Sequence, residues 1–184
     1  MRILAGWLLN LLGWKLVGET PQLNKCVLIV APHTSNWDFI IGILFKINRN
    51  VKLNYFGKDS LFRWYNSWFF KFFGGQPVIR HESNNVVKDK VEAFRKNNRF
   101  WLALAPEGTR EYRRYWRSGF YHIALEANVP IVMIYIDARK HEVGFGPTIK
   151  LSGDKGKDLE KIKSFYHDKI GINAEKKSTI QFKE

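Results

Sequence analysis

His33 and Asp38 are the residues whose types and spacing first invite chemistry. An imidazole can take a proton from a hydroxyl near neutral pH, and a carboxylate beside it can hold one ring nitrogen and leave the other free to act. On one continuous helix, five residues turn through about 500° at roughly 100° each, which sets the two side chains on different faces. The pair therefore needs a break, and the segment Ala31-Pro32-His33-Thr34-Ser35-Asn36-Trp37-Asp38 supplies one. Pro32 favours extended backbone before it and Ser35 is a good N-cap. Asp38 then falls at the third helical position of a capping box, its side chain directed back toward His33. Spacing alone leaves a second reading open, in which Asp38 only caps the helix and His33 is a turn histidine.

The flanking residues show what must carry this turn. Cys26-Val27-Leu28-Ile29-Val30 is a short apolar, β-branched run of the kind found in buried parallel strands, and Phe39 to Phe45 reads as an apolar helix. His33 thus sits on a strand-to-helix turn, where ligands of parallel sheets collect. Far along the chain, Phe100-Trp101-Leu102-Ala103-Leu104-Ala105 ends in the same way, at Pro106, and leads into Glu107-Gly108-Thr109-Arg110. Gly108 lets backbone N–H groups approach a ligand, Thr109 adds a hydroxyl and Arg110 a charge, together an anion cradle.

These two blocks give the chain its resemblance to the glycerolipid acyltransferases of the 1-acyl-glycerol-3-phosphate acyltransferase type. That family is marked by His-x4-Asp, here His33 to Asp38, and by Pro-Glu-Gly-Thr-Arg, here Pro106 to Arg110. Lesser blocks follow in the family's order: Gly57-Lys58-Asp59-Ser60-Leu61, Gly75-Gln76-Pro77-Val78-Ile79-Arg80 and Val129-Pro130-Ile131-Val132. Ala105 departs from the pattern, since the family often has Phe there. The resemblance implies O-acyl transfer from an acyl thioester to the free hydroxyl of a lysophospholipid, foremost 1-acyl-glycerol 3-phosphate, giving phosphatidic acid in phospholipid biosynthesis. It implies His33 and Asp38 as the catalytic pair, Arg80 as a phosphate ligand, and Glu107, Gly108, Thr109 and Arg110 at the acceptor. A surface role for Arg80 and an Arg110–Glu107 ion pair are the plainer alternatives. No bound cofactor or metal is expected; acyl-CoA or an acyl carrier protein thioester enters as co-substrate.

A chain of 184 residues suits one α/β domain with a mostly parallel central sheet flanked by helices. Its 30 basic against 17 acidic residues, net +13, call for an anionic partner: a membrane surface, a phosphorylated substrate or nucleic acid. The single cysteine, Cys26, excludes an internal disulfide, and no His-Glu-x-x-His or Gly-x-Ser-x-Gly occurs to signal a zinc hydrolase or a serine esterase.

Met1 to Val17 is strongly apolar, but the stretch between Arg2 and Lys15 is shorter than the roughly 20 residues that cross a bilayer in helix. Residues 1–20 are therefore expected as a helix in the membrane interface, with a helix covering the sheet as the competing reading. Phe62 to Phe73 is the most aromatic segment, expected as an amphipathic helix beside the acyl chain or packed wholly into the core. A strand over Val51 to Phe56, helices over residues 84–97, 119–128 and 158–170, and an edge strand over residues 143–151 complete the pattern. Residues 174–184, Lys-rich, are expected as a solvated tail. A place at the cytoplasmic face of a membrane, peripheral or monotopic, follows. Three rivals stay open: another lyso-lipid acceptor, such as an ornithine type, a basic nucleic-acid-binding protein, and a peripheral membrane protein without catalysis. The second leaves the His33–Asp38 and Glu107 blocks as coincidences, so no nucleic-acid partner is expected.

Overall fold

The computed structural model describes residues 1–58, 67–78 and 83–183. Seven strands form one sheet: β1 (Lys15–Val17), β2 (Lys25–Ala31), β3 (Asn54–Lys58), β4 (Gly75–Val78), β5 (Phe100–Leu104), β6 (Ile131–Asp137) and β7 (Glu142–Ile149). Their spatial order is β1-β7-β6-β2-β5-β3-β4, and every pairing is parallel except β6 with β7. The mostly parallel sheet expected from the sequence is therefore present.

Strand alternation sorts the core onto two faces. Val27, Ile29, Leu102, Ile131 and Met133 point to one side, where Phe94 of α4 (Ser83–Lys96), Phe120 of α5 (Gly119–Glu126) and Ile162 of α6 (Lys155–Tyr166) cover them. Cys26, Leu28, Trp101, Val132 and Ile134 point to the other, beneath Leu9 of α1 (Arg2–Leu11) and Ile41 and Phe45 of α2 (Trp37–Arg49). Burial drives the Cys26 thiol well above its ordinary pKa, as suits a packed and unreactive sulfur.

From β2 the chain moves by way of α2 to β3 on one side, whereas from β5 it passes over β2 to β6 on the other. That reversal is a topological switch point, and it lies at the carboxyl ends of β2 and β5. The register sets Ile29 opposite Leu104, so the turns after Ala31 and Leu104 emerge side by side.

Four expectations need correction. The N-terminal helix ends at Leu11, and Lys15–Val17 instead joins the sheet as its edge strand, parallel to β7. Gly13, at φ 78°, makes the turn between them, a left-handed conformation that glycine adopts without penalty. The strand expected at residues 143–151 is consequently internal. Nor are residues 174–183 a loose tail: Ser178 and Ile180 are buried, Phe182 packs on Phe120 and Tyr121, and Trp116 and Phe182 form a parallel bridge. The Lys-rich composition hid every second apolar residue in a short extended run. Asp154 caps α6 by accepting from the N–H groups of Gly156 and Lys157, so that helix starts three residues before the expected Asp158.

Candidate active site

β2 ends at Ala31, the Ala31–Pro32 peptide is cis, and His33 to Asn36 form the turn into α2. His33 Nδ1 lies 3.2 Å from Asp38 Oδ2; the imidazole is 22% exposed and the carboxylate 1%. The same oxygen accepts the backbone N–H groups of Thr34 at 2.7 Å and Ser35 at 2.8 Å. Because a carboxylate only accepts, Nδ1 carries the proton in the neutral ring and Nε2 is left as the base.

The helix start differs in detail from the expected capping box. Asn36 stands at the N-cap with no side-chain bond, and Ser35 Oγ accepts from Trp37 N at 3.2 Å instead of from Asp38 N. The half of the box in which the acidic residue reaches back to the Ser35 N–H is formed, and it is the half that aims Asp38 at His33.

Beside this turn, Glu107 Oε1 accepts the N–H of His33 at 3.1 Å. The Glu107 side chain is buried, and burial, helped by the nearby Asp38 charge, pushes its carboxyl up to about 8 against the pull of backbone N–H groups at Glu107 and His33. The shift favours the protonated acid near neutral pH. Gly108, at φ 63°, turns the chain after it, and a Cβ there would lie 2.8 Å from Arg117 Nε. Arg117 N in turn donates to Pro106 O at 2.8 Å, lacing the far side of the loop. Gly108, Thr109 and Arg110 are half-buried at the rim, and Arg110 forms no ion pair with Glu107.

Asp38 Oδ1 and Glu107 Oε2, in the two adjoining turns, are buried without a partner, as is Arg110 Nε three residues beyond Glu107. Buried polar groups are ordinarily satisfied, so unsatisfied ones in two adjoining turns mark a place where a polar ligand would complete the bonding. An apolar pocket of about 160 Å³ opens from the same centre between α2 and the sheet. His33, Asp38, Gly42, Ile43, Lys46, Leu53 and Ile134 are among the residues that line it. The Lys46 ammonium donates to Leu53 O at 3.3 Å and Phe73 O at 2.5 Å.

The structure thus brings together His33, Asp38, Glu107, Gly108, Thr109 and Arg110. Arg80 lies outside the described residues, as do Asp59 to Leu61 and the aromatics Phe62, Trp64 and Tyr65. Farther along that segment, Phe70 stacks obliquely on Phe39 with 5.6 Å between centroids, while Trp68 and Phe72 are exposed. Sequence reasoning missed Lys46 and also Thr34, whose role depends on chain far from it in sequence.

A mostly parallel α/β sheet with a histidine–carboxylate pair and a second polar turn at its switch point is an arrangement in which ligands collect at strand ends. The family is shown by comparison: the Acyltransferase family profile matches residues 15–137, and the chain belongs to that family. The chain also matches the crystal structure of the 1-acyl-sn-glycerophosphate (LPA) acyltransferase PlsC from Thermotoga maritima. The TM-score is 0.60 at 14% identity, covering 89% of this chain and 74% of that one. At that identity the likeness is one of fold. Among curated proteins no significant match is found.

Proposed function

We propose that this acyltransferase moves a fatty acyl group from an acyl thioester to the free hydroxyl of a lysophospholipid, 1-acyl-glycerol 3-phosphate being the acceptor of choice. The observation that carries the reading is the His33 Nδ1–Asp38 pair lining an apolar pocket, with Glu107 of the adjoining turn bonded to the His33 N–H. His33 Nε2 takes the acceptor hydroxyl's proton as its oxygen attacks the thioester carbonyl. The tetrahedral oxyanion then collapses, the C–S bond breaks, and the imidazolium returns the proton to the departing thiolate. The products are an ester and a free thiol, and no acyl-enzyme is needed.

Gly108, Thr109 and Arg110 receive the acceptor's phosphate, joined by Arg80, whose guanidinium fork suits two hydrogen bonds to one phosphate. Glu107 serves the acceptor site indirectly, because its Oε1 is engaged by the His33 turn. The pocket takes the inner end of an acyl chain; apolar cavities of such a size admit about six carbons. Support for an interfacial setting comes from Ile3, Leu4, Trp7 and Leu11 on α1 and from Trp37 and Ile40 on α2, all exposed, with a net charge of +13 to meet anionic headgroups. We place the protein at the cytoplasmic face of a membrane as a peripheral or monotopic enzyme. Among the described residues no helix is long and apolar enough to cross one. Coenzyme A and acyl carrier protein thioesters both suit this basic surface.

Thiol release from both donors, with and without 1-acyl-glycerol 3-phosphate, tests the proposal. Acceptor-dependent release should fall by about 10² to 10⁴ in His33→Ala, with the fold retained. Near-native turnover by that variant would remove His33 as the base, and acceptor-independent release would make the chain a thioesterase. Release only with a different lyso-lipid would change the acceptor and leave the chemistry.

A further inference from the structure

The matched family residues stop at Asp137, yet the chain beyond α6 returns to the active site. Ala138 N donates to Ile170 O at 2.7 Å, which sets the following residues against the His33 turn. Gly171 passes so close that a Cβ there would lie 2.5 Å from Thr34 Oγ1, so only glycine admits this approach. Asn173 then makes two hydrogen bonds to Thr34. Its backbone N–H donates to Thr34 Oγ1 at 3.1 Å, and its side-chain Nδ2 donates to Thr34 O at 2.8 Å. The amide orientation follows from chemistry, because a carbonyl can only accept. Farther on, Ser178 Oγ accepts from Arg113 N at 3.0 Å and Gln181 Nε2 donates to Arg114 O at 2.7 Å. One extended segment therefore touches both the His33 turn and the loop that follows Arg110.

The side-chain bond of Asn173 matters most. Thr34 O and the N–H of Ser35 belong to one planar peptide unit. Asn173 holds its oxygen end, while its N–H end donates to Asp38 Oδ2, the oxygen that holds His33 Nδ1. Pinned at both ends, this unit cannot rotate about the chain direction. Released at the oxygen, it can, and rotation would withdraw a donor from Asp38 and turn a carbonyl toward it.

We infer that Asn173 is a positioning residue for the His33–Asp38 pair, acting through the peptide unit between Thr34 and Ser35. The kinetic consequence rests on the proposed role of His33 as base; the structural consequence does not. Asn173→Ala removes the side-chain bond and keeps the backbone bond to Thr34 Oγ1, so the segment stays in place. Turnover, kcat, is expected to fall by about 10- to 100-fold, in the range that small misplacements of a catalytic group produce. KM for donor and acceptor should stay within about twofold, since Asn173 bonds to Thr34 and does not line the pocket. In an Asp38→Asn background the same substitution should cost less than about twofold, because the path ends at Asp38. Asn173→Asp, of equal size but without the donor, should behave like the alanine variant and carries both readouts should that variant fail to fold.

Long-range 1H–15N spectra of the His33 imidazole give the second readout. The native neutral ring should be in the Nδ1–H form, and Asn173→Ala should raise the share of Nε2–H, as Asp38→Asn does. A native-like kcat and tautomer in Asn173→Ala, or an equal fold-loss with and without Asp38, would overturn the inference. If the native chain transfers no acyl group, the proposed function fails, and the tautomer comparison still decides the role of Asn173.

Discussion

The turns after β2 and β5 share one design, an apolar strand, a proline and a polar loop carrying one carboxyl group, but they treat that group in opposite ways. On Asp38, two backbone N–H groups and a ring nitrogen meet at a single oxygen. On Glu107, burial outweighs the backbone donors and the carboxyl is raised to about 8. Both acids are nearly inaccessible, and they differ in what reaches their oxygens. Two carboxylates this close repel when both are charged, and Glu107 is the one whose surroundings favour the neutral form. The pair of turns thereby provides one carboxyl group that orients His33 and one whose burial favours its neutral form and that accepts from the backbone beside it.

Asp38→Asn strikes the carboxyl group that holds His33 and carries an expected effect as large as that of His33→Ala. An amide in that place offers a donor where three donors already converge, which disfavours the Nδ1–H form of His33. Initial-rate assays should show kcat reduced by about 10² to 10⁴, with acceptor KM changed little. A loss below tenfold would leave Asp38 as a helix cap alone. Arg110→Ala strikes the rim of the other turn. If Arg110 binds the acceptor phosphate, acceptor KM should rise by roughly 10- to 100-fold, the equivalent of one charge-assisted contact, while kcat stays within about threefold. An unchanged acceptor KM would release Arg110 from that role.

Much of this site is written locally and could be read from the sequence. His33, Asp38 and the proline-led turns depend on residues within a few positions of each other, and strand alternation reveals the sheet. What escaped the sequence is what depends on distant contacts. Lys15–Val17 looks like a continuation of an apolar helix because three residues give no period, and only the free edge of β7 recruits them as a strand. Thr34 looks like any turn residue until Asn173 is brought across from 139 positions away. The elevated pKa of Glu107 arises from burial, which no local pattern prints. Its inward orientation likewise follows from the parallel register of β2 and β5.

Glu107→Gln tests the neutral half of the comparison with the smallest expected loss of activity. Gln keeps an oxygen to accept the His33 N–H and cannot ionise. Near neutral pH the shift already favours the protonated acid, so kcat at pH 7 should remain within about fivefold. Stability tells the two apart. The carboxyl rises from an ordinary 4.5 in the unfolded chain to about 8 in the folded one, so between those values the folded state holds a proton that the unfolded state has lost. Unfolding then releases a proton, and the stability of the native chain falls as pH rises through that window, levelling off above about 8. The contribution amounts to a few kcal/mol at most, at about 1.4 kcal/mol per pH unit. Urea midpoints of both proteins at pH 5 and pH 8.5 isolate this one group, since every other titration is common to the two chains. Their stability difference should shift in favour of Glu107→Gln on going from the lower pH to the higher. Parallel pH dependences would mean that Glu107 is ionised in the folded protein, and the opposition between the two turns would be lost.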